Sequence, residues 1–148
     1  MTPTIETIEA RPILGIRRRV RTEEIGNTIG ELLGRVMPVA APHMAGPILS
    51  RWHTWEADGA EMEVAVPVRA PLDSQGDIQA SILPAGPAAV VLHVGPYDNL
   101  KDSWAALKAW MAENGKVGRD APWEEYLDDP GVVPQDEIRT RIVWPIKE

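Results

Sequence analysis

The spacing of apolar residues alternates between two periods, and each change of period marks a new element. Apolar and β-branched residues over 5–20 predict a strand, with Arg11-Pro12 as a bulge or edge position. Apolar positions at helical spacing then predict an amphipathic helix over about 23–36, with Thr22 as its N-cap. The chain therefore begins with a strand followed by a helix.

Two further strands complete the first half. A loop rich in Pro and Gly precedes a strand over 48–55, and Asp58-Gly59 is typical of a hairpin turn. The next strand, over 61–68, alternates apolar residues on one face with Glu61 and Glu63 on the other. Glu63 should therefore face either a groove or solvent, and solvent is the favoured alternative. The first half is thus predicted to be β-α-β-β.

The second half repeats this order. An apolar strand over 88–94 precedes a helix that ends at Asn114-Gly115, and strands over 123–127 and 138–146 follow. The apolar positions of this helix keep the helical spacing; they are Leu100, Trp104, Leu107 and Met111. The second half is therefore also predicted to be β-α-β-β.

A duplicated unit predicts a particular architecture. We expect one α+β domain over 1–148, with repeats of about 5–68 and 78–146 related by a pseudo-twofold axis. The helices should cover one face and leave a central groove between the halves. Such a groove is the expected ligand site.

Composition narrows the function classes. The chain has 148 residues, 44% of them apolar and 25% charged, which is typical of an ordinary folded protein. No stretch has the length of a bilayer span, and residues 1–10 are acidic where a secretory signal is basic, so we predict a cytoplasmic protein that does not bind membranes. There is no cysteine, which excludes disulfides and thiolate chemistry.

Charge bears on the partner. A formal net charge of −7 repels a phosphate backbone, and the basic run Arg17–Arg21 is short and lies in a predicted strand. We therefore predict no direct nucleic-acid binding and a preference for cations. The chain has six Trp and two Tyr but no Phe, and Trp offers the best face for cation–π contact.

The sequence contains none of the usual motifs for binding a metal or a cofactor. His43, His53 and His93 do not have the spacing of metal ligands, and there is neither a glycine-rich phosphate loop nor a nucleophile elbow around a serine. We expect no metal and no cofactor.

Four segments of the second half carry a resemblance to a known family. They are Leu83-Pro84-Ala85-Gly86, His93-Val94-Gly95-Pro96-Tyr97, Leu107 to Trp110, and Trp123-Glu124-Glu125-Tyr126-Leu127-Asp128-Asp129-Pro130. In these the chain resembles the GyrI-like small-molecule-binding domains, which also occur as effector-binding domains of AraC-type and MerR-type regulators. The resemblance implies two β-α-β-β repeats and a central pocket with an acidic residue at its floor.

The resemblance also implies site residues. In relatives that bind lipophilic cations, a buried glutamate surrounded by aromatic rings recognises the ligand, and by position that glutamate is Glu124. Tyr126 lies on the same strand face two residues on, and Tyr97 opens the second helix beside it. Glu125 is expected to point the other way, into solvent. A buried carboxylate without a countercharge tends to stay protonated until a cation enters.

Further residues are candidates for ligand binding, and packing in the core is the alternative role for them. Trp52, on a strand of the first half, is a candidate for lining the groove. Trp104 and Trp110 are further ligand-binding candidates, although helical spacing is more typical of core residues. His93 is expected near the pocket mouth, and Trp144 is expected in the core.

We predict from this a binding protein for small, lipophilic, cationic and aromatic molecules of the multidrug type, acting as a sensor or a sequestering protein. The alternative is a hydrolase of reactive, cyclopropane-containing electrophiles, like a subset of stand-alone relatives, with Glu124 as general base and Tyr126 or Tyr97 orienting or protonating the leaving group. A second alternative is a protein-interaction inhibitor of the gyrase type. The sequence leaves these alternatives open, and with them the physiological ligand, the oligomeric state and any protein partner.

Overall fold

The chain divides into two compact units. The structure, a computed structural model, describes residues 2–148. The first unit comprises Ala10–Pro84, and the second unit joins the segment up to Glu9 to Ala85–Glu148.

Eight strands and two α-helices make up these units. In chain order they are β1 (Thr4–Ile8), β2 (Arg11–Arg21), α1 (Ile25–Ala40), β3 (Leu49–Glu56), β4 (Gly59–Pro67), β5 (Gln79–Leu83), β6 (Gly86–Val94), α2 (Leu100–Glu113), β7 (Trp123–Tyr126) and β8 (Arg139–Pro145). None of the helices within residues 2–148 combines the length and apolar character needed to cross a membrane.

The first unit is an antiparallel sheet covered by α1. Its strand order is β3-β4-β2-β5, and α1 packs on β2 and β4. The buried positions of α1 recur every four residues, which places them on one face of the helix: Thr28, Leu32, Val36 and Ala40. The predicted hairpin is present, with Ala57-Asp58 as the two-residue loop between β3 and β4.

The second unit repeats this arrangement. Its strand order is β1-β6-β8-β7, again antiparallel, and α2 packs on β6. A fully apolar cluster joins the helix to the sheet and consists of Ala89, Val91, Leu107, Met111, Ile142 and Ile146. The predicted end of α2 is confirmed, since Gly115 adopts a φ of +64° just beyond Asn114, a conformation that glycine favours.

The predicted α+β fold with two β-α-β-β units is confirmed. The strand predicted over 5–20 is, however, two strands separated at Glu9-Ala10. β1 pairs with β6, far along the chain, whereas β2 pairs with β4 and β5. The assignment of the whole chain to one domain, the repeat bounds, the twofold axis and the central groove stay predictions.

The first helix differs from its predicted bounds at both ends. Thr22 is not an N-cap but begins a short 3₁₀ turn, Thr22–Glu24, and α1 starts after it at Ile25. At the other end the helix continues through Pro38, which lies in its last turn. A proline there removes one backbone donor, but only two helical residues follow it, so the helix tolerates it.

The basic run in β2 is paired with acidic side chains. Its ion pairs are Arg17 with Glu61, Arg18 with Glu31, Arg19 with Glu56 and Asp58, and Arg21 with Glu23 and Glu24. The positive charge of this run is therefore compensated locally.

Candidate functional site

Glu124 is a buried carboxylate on the helix-bearing face of the second unit. It lies opposite Ile142 of β8, a member of the core cluster beneath α2, and is only 6% exposed. Its Oε1 accepts a hydrogen bond of 2.7 Å from Trp104 Nε1, and its Oε2 accepts one of 2.9 Å from the hydroxyl of Tyr126. Both carboxylate oxygens therefore have a donor from an aromatic side chain.

Local geometry explains why these three residues meet. Tyr126 follows Glu124 by two positions on β7, so the two side chains project from the same strand face. Trp104 lies on the second turn of α2, which packs over this sheet. The helix thus supplies one donor and the strand supplies the other.

Two further aromatic rings pack against these donors. Tyr97 meets Tyr126 edge to face at 5.7 Å between ring centroids, and Trp144 meets Trp104 edge to face at 5.9 Å. Trp144 also packs against the core cluster, as predicted. We call Glu124 together with Trp104, Tyr126, Tyr97 and Trp144 the Glu124 cluster.

Tyr97 is the exposed member of this cluster. It begins the 3₁₀ turn Tyr97–Asn99 that leads into α2, and 37% of its surface is exposed. Partial burial raises the pKa of its hydroxyl above the ordinary value of 10.0, and repulsion from Asp128, Asp129 and Glu124 adds to the effect. Tyr97 therefore stays neutral at physiological pH and provides the solvent-facing edge of the cluster.

His93 is buried and lies between β6 and α2. Its Nδ1 is 2.7 Å from the hydroxyl of Ser103, and its Nε2 is 3.0 Å from the carbonyl oxygen of Pro96. Because a carbonyl only accepts, Nε2 carries a proton and donates to Pro96. The ring thereby fastens the start of α2 to the strand, and a role in ligand contact stays a prediction.

Trp110 and Trp52 are the remaining tryptophan candidates, Trp110 on α2 of the second unit and Trp52 on β3 of the first. Trp110 is half-buried and packs against the apolar core cluster. Trp52, on β3 of the first unit, is 8% exposed and meets Trp55 edge to face at 5.1 Å. Their roles as ligand-binding residues stay predictions.

Glu125 does not face solvent, contrary to expectation. It is 3% exposed, accepts a hydrogen bond of 2.9 Å from Trp123 Nε1 and pairs with Arg141 Nη1 at 3.1 Å. Arg141 also pairs with Glu6 of β1 at 2.9 Å. The alternation on β7 does place Glu124 and Glu125 on opposite faces, but the second face is covered as well.

Glu63 is also buried, where the sequence favoured solvent. Its Oε1 lies 2.9 Å from Nε2 of His53 on the neighbouring strand β3. Both burial predictions were wrong because each glutamate pairs with a basic residue on the neighbouring strand. That pairing can be seen in the sequence only when the strand register is known.

Within residues 2–148 no three His, Asp or Glu side chains come close enough together to hold a metal ion.

The match to a family covers almost the whole chain. The model of the GyrI-like small-molecule-binding domain matches residues 1–147. This agrees with the resemblance that the sequence motifs carry.

Several solved structures share the fold. The chain is similar to the C-terminal domain of EcmrR, with a TM-score of 0.82 and 21% identity over 99% of this chain and 98% of that one. It spans 57% of the EcmrR chain in a complex with DNA, with a TM-score of 0.86 and 21% identity over 99% of this chain. These likenesses show the fold.

Two other structures share this fold, one of a protein with a bound ligand and one of a hydrolase. SAV2435 bound to tetraphenylphosphonium gives a TM-score of 0.76 and 14% identity over 99% of this chain and 94% of that one. A hydrolase from Listeria innocua gives a TM-score of 0.65 and 13% identity over 99% of this chain and 92% of that one.

Proposed function

The chain belongs to the GyrI-like small-molecule-binding domains, and we propose on that basis that it binds small aromatic cations at the Glu124 cluster. In this proposal the protein acts in the cytoplasm as a sensor or a sequestering protein for multidrug-type compounds. The observation that carries it is a buried carboxylate whose two oxygens are both held by aromatic side chains.

The hydrogen bonds fix the carboxylate for this task. An indole N–H and a phenol O–H orient both oxygens, and because both donors are neutral, neither of them supplies a positive charge that would compete with a cationic ligand. A carboxyl group that is already held in place loses little freedom when a cation arrives, which favours binding. The net charge of −7 adds a long-range attraction for cations.

The aromatic rings supply the second part of the recognition. A cation over the face of a Trp or Tyr ring gains about 0.5 to 2 kcal/mol. Tyr97, the exposed member, gives a ligand its first contact, and Tyr126 lies directly behind it. Flat rings with few directional hydrogen bonds accept many ligand shapes, which suits a protein with broad specificity.

The fold neighbours support this function. SAV2435 was solved bound to tetraphenylphosphonium, a lipophilic aromatic cation, and it shares the fold of this chain. We propose the same ligand class here, with Trp52, Trp110 and His93 as further candidates for ligand contact.

A hydrolase is the second candidate, because one observation favours it. The hydroxyl of Tyr126 lies 2.9 Å from Glu124 Oε2, within the distance needed for proton transfer between the two. In that reaction Glu124 removes a proton from water, the water oxygen bonds to a carbon of the electrophile, and Tyr126 or Tyr97 orients or protonates the group that leaves as its bond to that carbon breaks. A fold neighbour from Listeria innocua is a hydrolase.

Ions of matched shape and opposite charge test the binding proposal. Tetraphenylphosphonium and tetraphenylborate have nearly the same shape, so a difference in their affinities reports charge recognition. We expect tetraphenylphosphonium to quench tryptophan fluorescence at micromolar concentration and tetraphenylborate to have no effect. Equal affinity for the two ions would contradict the proposal.

Product analysis separates the two candidates. The protein is incubated with a cyclopropane-containing electrophile, and the mixture is followed by mass spectrometry against a Glu124→Gln control. Binding without a new product supports the binding protein. A hydrated product that forms with wild type but not with Glu124→Gln moves the assignment to the hydrolase.

A further inference from the structure

Trp52 carries a buried donor that the fold leaves unused. Its Nε1 is inaccessible to solvent and has no hydrogen-bond partner within residues 2–148. A buried N–H without an acceptor costs free energy in the folded protein, and native structures seldom keep one without a reason. An acceptor placed against Trp52 Nε1 would therefore stabilise the folded protein.

A β-bulge builds the surroundings of this donor. The register of β3 against β4 shifts between Trp52 and Thr54, so His53 is the extra residue. Without the bulge, Trp52 and Trp55 would lie on opposite faces, since they are three positions apart. With the bulge they lie opposite Met62 and Ala60, two residues that share one face of β4.

A buried polar contact fixes the bulge in place. His53 Nε2 lies 2.9 Å from Glu63 Oε1, and Glu63 lies on the face of β4 opposite to that of Met62. The side chain of the extra residue is thus anchored on one face while the two indoles meet on the other. Bulges often re-aim side chains next to functional sites.

Trp55 is an exposed ring that contacts the indole carrying the buried donor. It is 60% exposed although it meets Trp52 at 5.1 Å between ring centroids, with an interplanar angle of 77°. A large exposed indole that packs on a second indole with an unpaired N–H offers both a ring surface and a donor to an aromatic ligand. Its exposed side leaves space for the ring to turn aside.

We propose that Trp52 and Trp55 form an aromatic recognition element of the first unit that takes a flat aromatic ring bearing a hydrogen-bond acceptor. The Trp55 ring turns to admit the ligand and packs on it, and Trp52 Nε1 donates to a ring nitrogen or carbonyl oxygen of the ligand. The inference rests on the proposed function only in that the domain binds aromatic molecules; it does not involve Glu124.

A pair of ligands that differ by one acceptor tests the donor. Aminomethylquinoline and aminomethylnaphthalene share ring size and an ammonium group, but only the first has a ring nitrogen that accepts a hydrogen bond. Affinities are measured by calorimetry on wild type and on Trp52→Phe, which keeps an aromatic ring and removes the N–H. Trp123→Phe serves as the control for loss of an indole elsewhere, since Trp123 Nε1 donates to Glu125 and the residue has no proposed ligand role.

Wild type is expected to prefer the quinoline by about tenfold, the worth of one satisfied donor. Trp52→Phe should abolish this preference, and Trp123→Phe should retain it. In ¹H–¹⁵N spectra the indole resonance of Trp52 should move downfield with the quinoline only. A wild type without preference, or a Trp52→Phe variant that keeps it, overturns the inference.

The result is separable from that of the proposed function. Glu124→Gln should weaken tetraphenylphosphonium, as the proposed function predicts, and should leave the ratio of the quinoline and naphthalene affinities unchanged, because that ratio depends on the acceptor and not on the ammonium group. If Glu124→Gln has no effect while the ratio still depends on Trp52, the cation site fails and the acceptor-binding element stands.

Discussion

Trp104 of α2 donates its indole N–H to Glu124 of β7 across 2.7 Å, so a helix residue and a strand residue twenty positions apart share one hydrogen bond. This bond ties the helix to the sheet at the proposed ligand site. It also accounts for an indole on the helix stripe that is half-buried rather than fully packed in the core.

Replacing Trp104 tests the strength of that link. Trp104→Phe keeps a ring but removes the donor. We expect the free energy of unfolding to fall by about 1–2 kcal/mol. This is less than the roughly 3 kcal/mol that a hydrogen bond to a charged group can contribute, because Trp104 is only half-buried. Urea denaturation followed by circular dichroism measures the change. Trp110→Phe, with the same loss of ring size but no bond to a carboxylate, should cost less; equal losses would show that the bond contributes nothing.

The pair of Glu125 and Arg141 should contribute to stability on the other face of the sheet. Arg141→Met leaves the buried Glu125 carboxylate without its cation, and we expect a loss of about 2–3 kcal/mol in the free energy of unfolding, somewhat less than for a fully buried pair. Arg141 is 26% exposed, which is the reason for the reduction.

Arg139→Met is the matched control for this prediction. Arg139 pairs with Asp128 at 2.9 Å but is half-exposed, so its removal should destabilise the protein less than the removal of Arg141 does. If both substitutions destabilise the protein equally, the burial of Glu125 does not give its ion pair additional weight.

The pKa of Tyr97 should be visible in an alkaline titration. Burial first, and then the charges of Asp128, Asp129 and Glu124, raise it above 10.0, so in Tyr126→Phe, where Tyr97 is the remaining tyrosine, the phenolate absorbance should appear with a midpoint above 10.0. Asp129→Asn should lower that midpoint only in part, because burial persists. A midpoint at or below 10.0 would contradict the assignment.

The same shift has a consequence for stability. The folded state holds the Tyr97 proton more tightly than the unfolded chain does, so this contribution to stability is complete below pH 10.0 and is lost as pH rises through the raised pKa of the folded state. Unfolding measured between neutral and strongly alkaline pH should show Tyr97→Phe losing less stability than wild type over that range.

Periodicity in the sequence was enough to predict both helices and most of the strands in their order, although it merged β1 and β2 into one strand. Alternation identified the strands, and the helical spacing of Leu100, Trp104, Leu107 and Met111 identified α2. It did not reveal that β1 leaves its neighbour β2 and pairs with β6, because an apolar pattern does not specify the partner strand.

For the candidate site, the sequence likewise predicted which strand face each residue lies on, but not which residues of other strands it contacts. Alternation placed Glu124 and Tyr126 on one face and Glu125 on the other, as the structure has them. That Glu125 is buried depends on Arg141 lying opposite it on β8, and the unused donor of Trp52 depends on a bulge at His53. Neither is visible without the strand register.

Calorimetric titration of tetraphenylphosphonium into Glu124→Gln tests the central claim most directly. Glu125→Gln is the control, because it neutralises the adjacent buried carboxylate on the opposite face. The account predicts that Glu124→Gln weakens binding by about 30-fold or more, since the lost charge contact contributes about 2 kcal/mol or more, and that folded Glu125→Gln binds as wild type does. Unchanged affinity in Glu124→Gln, or an equal loss in both variants, would contradict it.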